Sequence, residues 1–223
     1  MTASNDKLKA EEEFSRYLEK LRGELNKANW HFSIVKYISG IGKDYHKELN
    51  QAPGFWGLTI NAHMSCALAH LNNLFGKEDE HLHMNSFLDF IKNNLGIFTK
   101  QAFEKRLREK GRYDELAEKF DSKITDEKVE RDRQKLIDLP IPALREWRHR
   151  ILSHIHKDSV AQNIDIAKQH PVKTKHVEQI INTLHDMLNE YSLAYDFSTY
   201  SKDLTLEHGI QYILDATRFK LQI

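Results

Sequence analysis

The feature that most constrains the fold of this chain is a helical period of apolar residues that runs through most of its length. Glycine and proline are scarce, at 9 and 4 of 223 residues, and the strict alternation typical of strands is absent. Apolar residues recur every three or four positions, as at Phe14, Leu18, Leu21 and Leu25. The sequence therefore predicts an all-α protein, a bundle of helices that share an apolar core.

The same spacing predicts how the chain is divided. We predict an N-terminal helical extension over residues 1–27 and one helical domain over residues 28–223. Thr99, Thr125 and Thr174 each precede or open a periodic segment and are typical helix caps. The predicted helices cover 6–26, a segment with Trp30, Ile34, Ile38, Ile41 and Tyr45 in register, 55–75, 84–95, 100–120, 126 toward Leu139, 143–156, 174 onward and 203–219.

The predicted helix over 55–75 is apolar on two faces. One face holds bulky residues from Ile60 to Phe75, and the other holds Leu58, Ala62, Cys66 and Ala69. A helix of this kind is expected at the centre of a bundle, with Cys66 buried and inert. We expect His63 and His70, seven residues apart on one face, to be hydrogen-bonded packing residues.

Composition excludes several classes of protein. Lysine plus arginine and aspartate plus glutamate both number 33, so the formal net charge is zero and gives no global attraction to nucleic acid or membrane. Cys66 is the one cysteine, which excludes a disulfide framework within the chain. The first residues are polar and no apolar run approaches the roughly 20 residues of a membrane span. We expect a cytoplasmic protein with no membrane partner.

Functional chemistry is concentrated at Arg148, His149 and His154. On a regular helix, Arg148 and His154 lie about 55° and about 65° to opposite sides of an apolar stripe. If that stripe packs against its twin about a two-fold axis, Arg148 of one copy approaches His154 of the other. The stripe consists of Leu144, Trp147, Ile151 and Ile155. The spacing therefore predicts a composite site in a homodimer.

These side chains suit the cleavage of RNA. Arginine offers a fixed fork of donors for a phosphate and for charge that develops on it. Histidine titrates near neutrality and can act as acid or base. RNA carries its own nucleophile, the 2′-hydroxyl, so neither a metal nor a cofactor is required. We predict a metal-independent endoribonuclease in which Arg148 clamps the phosphate, His154 transfers protons and His149 orients or assists.

Around these residues the chain resembles the HEPN superfamily, in its AbiU-type abortive-infection branch. The resemblance rests on Arg148-His149 with His154, on FWGLTINA at 55–62, on LNNLF at 71–75 and on LREWR at 144–148. It implies a helical bundle, a homodimer through the motif helix, RNA cleavage, and a role in phage defence or as a toxin with a protein antitoxin. Members controlled by a nucleotidyltransferase carry a tyrosine two residues after the histidine, where this chain has His156.

Other interpretations remain open. The pairs His81/His83 and His154/His156 each diverge by about 160° on a helix and lack further ligands at a supporting spacing, so we expect no metal site. The basic segments 100–112 and 168–176 either guide RNA or form solvated faces. The alternative function is a non-catalytic HEPN-like module that binds a protein or nucleotide partner.

Overall fold

The computed structural model describes residues 2–76, 81–111, 124–142, 144, 173–202 and 207–221. Within these ranges the chain forms eight α helices and two 3-10 turns and contains no strand, so the predicted all-α class is confirmed. No helix in the described ranges is long and apolar enough to cross a membrane. The helices are α1 (Thr2–Gly40), α2 (His46–Leu49), α3 (Pro53–Asn73), α4 (Met84–Asn93), α5 (Lys100–Glu109), α6 (Asp126–Ile137), α7 (Thr174–Asp196) and α8 (Glu207–Leu221).

Helix α1 is longer than the sequence predicts. The two predicted N-terminal segments form one helix of 39 residues, and the boundary between residues 27 and 28 falls inside it. The predicted helix end near residue 26 is therefore wrong, and the domain boundary after residue 27 stays a prediction. Trp30 is 46% exposed, because the buried face continues from Leu25 to Ala28 and Phe32 and Trp30 lies on a different side of the helix. The buried residues from Phe14 onward are Phe14, Leu18, Leu21, Leu25, Ala28, Phe32, Val35 and Ile38.

Capping chemistry sets the ends of the shorter helices. The side chain of Thr99 accepts a hydrogen bond from the Ala102 amide, and that of Thr125 accepts one from the Lys128 amide, so both predicted caps are confirmed. Helix α5 ends at Glu109 and does not run unbroken to residue 120 as predicted. Gly111 has a φ of 64°, a left-handed conformation that glycine adopts without strain and that terminates helices.

The described residues fall into two compact units. The first comprises Met1–Leu25, Asn73–Ile141 and Gln179–Ser201. An aromatic cluster holds its core: the ring of Phe14 lies 5.7 Å from that of Phe87, 5.2 Å from that of Phe98 and 4.5 Å from that of Tyr195. These contacts bring α1, α4 and α7 together around one apolar centre.

The second unit comprises Asn26–Asn72, Pro142–Glu178 and Lys202–Ile223. Its helix α3 buries Ala67, Leu68 and Leu71, whereas Leu58 is 73% exposed and Cys66 is exposed. The predictions of a central helix and a buried cysteine are therefore wrong. The bulky face of α3 is buried toward its C-terminal end, at Leu68 and Leu71. The small-residue face lies at the surface.

Candidate functional site

The predicted catalytic residues Arg148, His149 and His154 lie outside the residues that the structure describes. Their approach across a two-fold axis therefore stays a prediction. Leu144, the first member of the predicted apolar stripe, is described and is only 2% exposed within a single chain. Leu144 therefore packs inside a single copy. The predicted contact with a second copy then falls to Trp147, Ile151 and Ile155.

The chain is tightly fixed just before the motif segment. Helix α6 ends at Ile137, and the Asp138 amide donates to the Gln134 carbonyl at 3.0 Å. Leu136 and Leu139 are 2% and 4% exposed, which anchors the turn that follows in apolar surroundings. The sequence predicts this break from Pro140 and Pro142, since proline removes a backbone donor.

A buried carboxylate on α6 is paired with two lysines of the same helix. Asp132 is completely buried, Lys128 pairs with one of its oxygens, and the Lys135 Nζ atom lies 2.9 Å from the other. Burial acts to raise the pKa of Asp132, but hydrogen bonds from the two lysines outweigh it and hold that pKa below its ordinary value. Burial also raises the pKa of Tyr191, and the Asp132 carboxylate raises it further. This ion-paired carboxylate is suited to a structural role and not to proton transfer.

The basic helix α5 uses its central cation inside the first unit. Arg106 is buried, and its Nε donates to the Tyr195 carbonyl at 2.8 Å. Its Nη2 donates to the Ile97 carbonyl at 2.7 Å, and its Nη1 donates to Glu11 Oε1 at 2.8 Å. Burial lowers the pKa of Arg106, and nearby Tyr195 and Glu11 act to raise it. Arg106 is therefore a structural clamp, which sequence reasoning missed because two of its acceptors, on Glu11 and Tyr195, are far away along the chain.

Other cations of the segment 100–112 are also paired. Lys110 forms an ion pair with Asp196, and Lys105 lies 3.6 Å from Glu109 one turn away. The Lys105–Glu109 pair is internal to the segment, as the solvated-face interpretation expects, whereas Arg106 and Lys110 pair with residues of other helices. For the segment 168–176, the described Lys173 and Lys175 are exposed.

A cleft of about 530 Å³ lies beside the Arg106 clamp in the first unit. Its walls carry four carboxylates and three cations, and two of the cations are already paired with Glu11 and Asp196. This balance does not favour a phosphate. The lining residues are Leu8, Glu11, Glu12, Ser15, Arg16, Arg106, Glu109, Lys110, Tyr195 and Asp196.

Three histidines meet in the second unit. The Nδ1 atoms of His31 and His63 lie 2.7 Å apart, and the ring of His31 stacks on that of His70 at 5.8 Å with an interplanar angle of 6°. Burial lowers the pKa of His31, and the neighbouring His63 and His70 lower it further. The prediction of hydrogen-bonded packing for His63 is confirmed. His31 was missed because it lies on a different helix.

In the described ranges, no group of three or more histidine, cysteine or acidic side chains is arranged to hold a metal ion. His83, half of one predicted histidine pair, instead caps α4: its Nδ1 accepts from the Ser86 amide at 3.2 Å, and its own amide donates to Ser86 Oγ at 2.9 Å.

Comparison with known families places the chain among helical HEPN modules. The family described as HEPN_AbiU2 (AbiU2) matches residues 11–219, nearly the whole chain. The chain belongs to this family, in agreement with its all-α architecture and with the resemblance in the sequence. No curated protein and no solved structure matches the chain.

Proposed function

We propose that this protein is a metal-independent endoribonuclease of toxin or phage-defence type that acts as a homodimer. The observation that carries the proposal is Arg148-His149 with His154 in a chain whose HEPN_AbiU2 match spans all three residues. The family name supports a role in abortive infection. A protein antitoxin is a fitting partner, and the cytoplasm, where RNA is translated, is a fitting location.

The proposed reaction needs only groups that protein and RNA supply. One His154 removes the proton of the 2′-hydroxyl, and the oxygen attacks the adjacent phosphorus. Arg148 holds the phosphate and stabilises the charge that develops on its oxygens. The 5′-oxygen leaves with a proton from the other copy's His154, so the products are a 2′,3′-cyclic phosphate and a 5′-hydroxyl. His149 orients one of these groups.

The first test measures cleavage of an end-labelled RNA by the purified protein. We expect Arg148→Ala and His154→Ala each to lower the rate by at least about 100-fold, the usual size of an acid–base contribution. Arg150→Ala is the matched control, since it removes a cation from the same segment but outside the motif, and it should stay within a few-fold of the wild type. Wild-type rates in either motif variant would contradict the proposal.

Mixing the two inactive variants tests the shared site. A heterodimer of Arg148→Ala with His154→Ala keeps one guanidinium and one imidazole, whereas each homodimer lacks one of the two groups altogether. We expect the mixture to cleave RNA faster than either variant alone, because one Arg148 again faces one His154, but much more slowly than the wild type, because the second His154 that protonates the 5′-oxygen is missing. A mixture no more active than its components would contradict a site built by two copies.

Expression in a bacterial host separates catalysis from the alternative function. A toxic ribonuclease slows growth, and either motif substitution relieves the effect. If the wild type is harmless and cleaves no tested RNA, the chain is instead a non-catalytic HEPN-like module. Control by a nucleotidyltransferase is not part of the proposal, because His156 stands where that mode of control uses tyrosine.

A further inference from the structure

One face of helix α8 is firmly attached to the second unit. Leu214 is completely buried, and Arg218 Nε donates to Glu48 Oε1 at 2.6 Å. The Tyr45 hydroxyl donates to Asp215 Oδ1 at 2.7 Å. An apolar anchor and two polar contacts from the segment 45–48 therefore fix which side of α8 faces inward.

The opposite face of α8 is exposed and largely apolar, and it also carries the exposed Lys220. Tyr212 is 76% exposed, Phe219 is 68% exposed and Ile213 is 54% exposed. Gly209 and Ala216 are exposed on the same face. An outward face with two aromatic rings is unlike the polar outer face of an ordinary surface helix, and contiguous apolar patches of this kind mark interaction sites.

The spacing of this face is that of a helix-pairing seam. Gly209, Tyr212, Ala216 and Phe219 follow one another at three, four and three residues, the interval at which apolar positions recur in paired helices. Ile213 lies at the edge of the seam. We define these five residues as the α8 seam. Small and large residues alternate along it in the order Gly, Tyr, Ala, Phe.

We propose that the α8 seam pairs with the α8 seam of a second copy, antiparallel and about a two-fold axis. When the two helices cross at the height of residue 214, Gly209 of one copy lies opposite Phe219 of the other, and Tyr212 lies opposite Ala216. The two-fold symmetry repeats each contact. Every aromatic ring then lies opposite a small residue. A parallel pairing would place ring on ring and leave gaps at the small residues, which close packing disfavours.

The area of the seam fits a second copy. A buried aromatic side chain contributes roughly 150–250 Å², so the exposed rings of Tyr212 and Phe219 with Ile213 supply on the order of 400 Å² per copy. Two copies then bury on the order of 800 Å², to which Gly209 and Ala216 add a little, so the pairing is a weak and reversible one, below the roughly 1,200 Å² of stable interfaces. A helix that lies on a lipid surface has a polar face rich in lysine and arginine. Here Arg218 is paired with Glu48, and Lys220 is the other basic residue in the last turn of α8.

This inference does not depend on the proposed ribonuclease. The α8 seam is far along the chain from Arg148 and His154, and its argument uses exposure and residue size alone. A dimer through the predicted motif helix would combine with it into a larger assembly or share the same two-fold axis.

Cross-linking tests the register of the pair. In a Cys66→Ser background, Gly209→Cys and Phe219→Cys are made in separate full-length proteins; the space around Gly209 accepts a side chain. We expect a short bismaleimide to join the two proteins when they are mixed. Each protein alone should cross-link poorly, because the equivalent thiols of its two copies are then about 15 Å apart along the helix axis. Efficient cross-linking of either protein alone, or none in the mixture, overturns the proposal.

A size exchange tests the packing by sedimentation equilibrium. Tyr212→Ala and Ala216→Tyr should each weaken self-association by at least about tenfold, and the double variant should recover most of the loss because ring and small residue have changed places. Phe55→Ala, which truncates a 61% exposed ring on α3, is the matched control and should have no effect. Single variants that associate like the wild type, or a double variant worse than both, contradict it.

The two proposals fail separately. Arg148→Ala and His154→Ala should leave the cross-linking pattern of α8 unchanged, and circular dichroism confirms that the α8 variants are folded. If the cysteine variants with an intact motif cleave no RNA but cross-link as expected, the ribonuclease proposal is wrong. If they cleave RNA but do not cross-link, the α8 proposal is wrong.

Discussion

The Nδ1 atoms of His31 and His63 face each other at 2.7 Å and join α1 to α3 within the second unit. One nitrogen must donate and the other accept, so the accepting ring must be neutral and protonation of both rings would break the bond. The stacked ring of His70 adds a third titratable group from the same side of α3. Proton uptake at His31 is thus coupled to a contact that holds this unit together.

We predict that the protein loses stability as the pH falls below about 6.5. Burial, His63 and His70 lower the pKa of His31 in the folded chain, so below the ordinary histidine pKa the unfolded chain binds more protons. The loss begins near the unfolded pKa and levels off below the folded one. Urea unfolding between pH 7.5 and 5 measures it. His31→Gln should flatten the profile, whereas His208→Gln, at an exposed position, should not.

Arg106→Ala should destabilise the first unit by about 3–5 kcal/mol, the usual cost of removing one partner of a buried ion pair. Glu11 loses its cation, and the Tyr195 and Ile97 carbonyls lose their donor. The midpoint of urea unfolding measures the change. Lys105→Ala, whose side chain is 64% exposed, should shift stability by less than about 0.5 kcal/mol. Equal shifts for both variants would mean that Arg106 is not the clamp.

Asp132→Asn should cost about 1.5–3 kcal/mol at neutral pH, because Lys128 and Lys135 lose the buried carboxylate to which they donate. The pKa of Asp132 is held below its ordinary value in the folded chain. Its contribution is therefore present above about pH 4 and is lost as the pH falls through the folded pKa. The variant should be less sensitive to acid than the wild type. Asp186→Asn, with a side chain 72% exposed, is the control, and an equally large effect there would contradict the argument.

Cys66 should react with a thiol reagent in the native protein. It is exposed on α3, so no unfolding step precedes the reaction. The time course of modification with and without denaturant gives the comparison, and the native rate should lie within about tenfold of the unfolded one. Modification that occurs only after denaturation would show that this face of α3 is covered in solution.

RNA cleavage should persist in EDTA. The proposed reaction takes its nucleophile from RNA and its acid and base from histidine, so chelation removes nothing that it uses. The rate should remain within about twofold of the untreated value, since no metal lowers the pKa of a reacting group here. Loss of activity that a divalent cation restores would favour a metal-dependent nuclease.

Local chemistry in the sequence predicted much of the fold. The three-to-four spacing from Phe14 to Leu25 marks a buried helix face, and the hydroxyls of Thr99 and Thr125 start helices, because these effects act over one or two turns. The family and the candidate residues Arg148, His149 and His154 also follow from short stretches of sequence.

Contacts between distant residues depend on how the helices pack, and no local pattern encodes them. The bond from His31 to His63, the clamp of Arg106 on Tyr195 and the exposure of Cys66 were all beyond prediction. Periodicity shows that α3 and α8 each have apolar faces, but not which of those faces finds a neighbour. That choice is made by the free energy of burial summed over the assembled helices, which is why apolar residues of α3 and α8 remain at the surface.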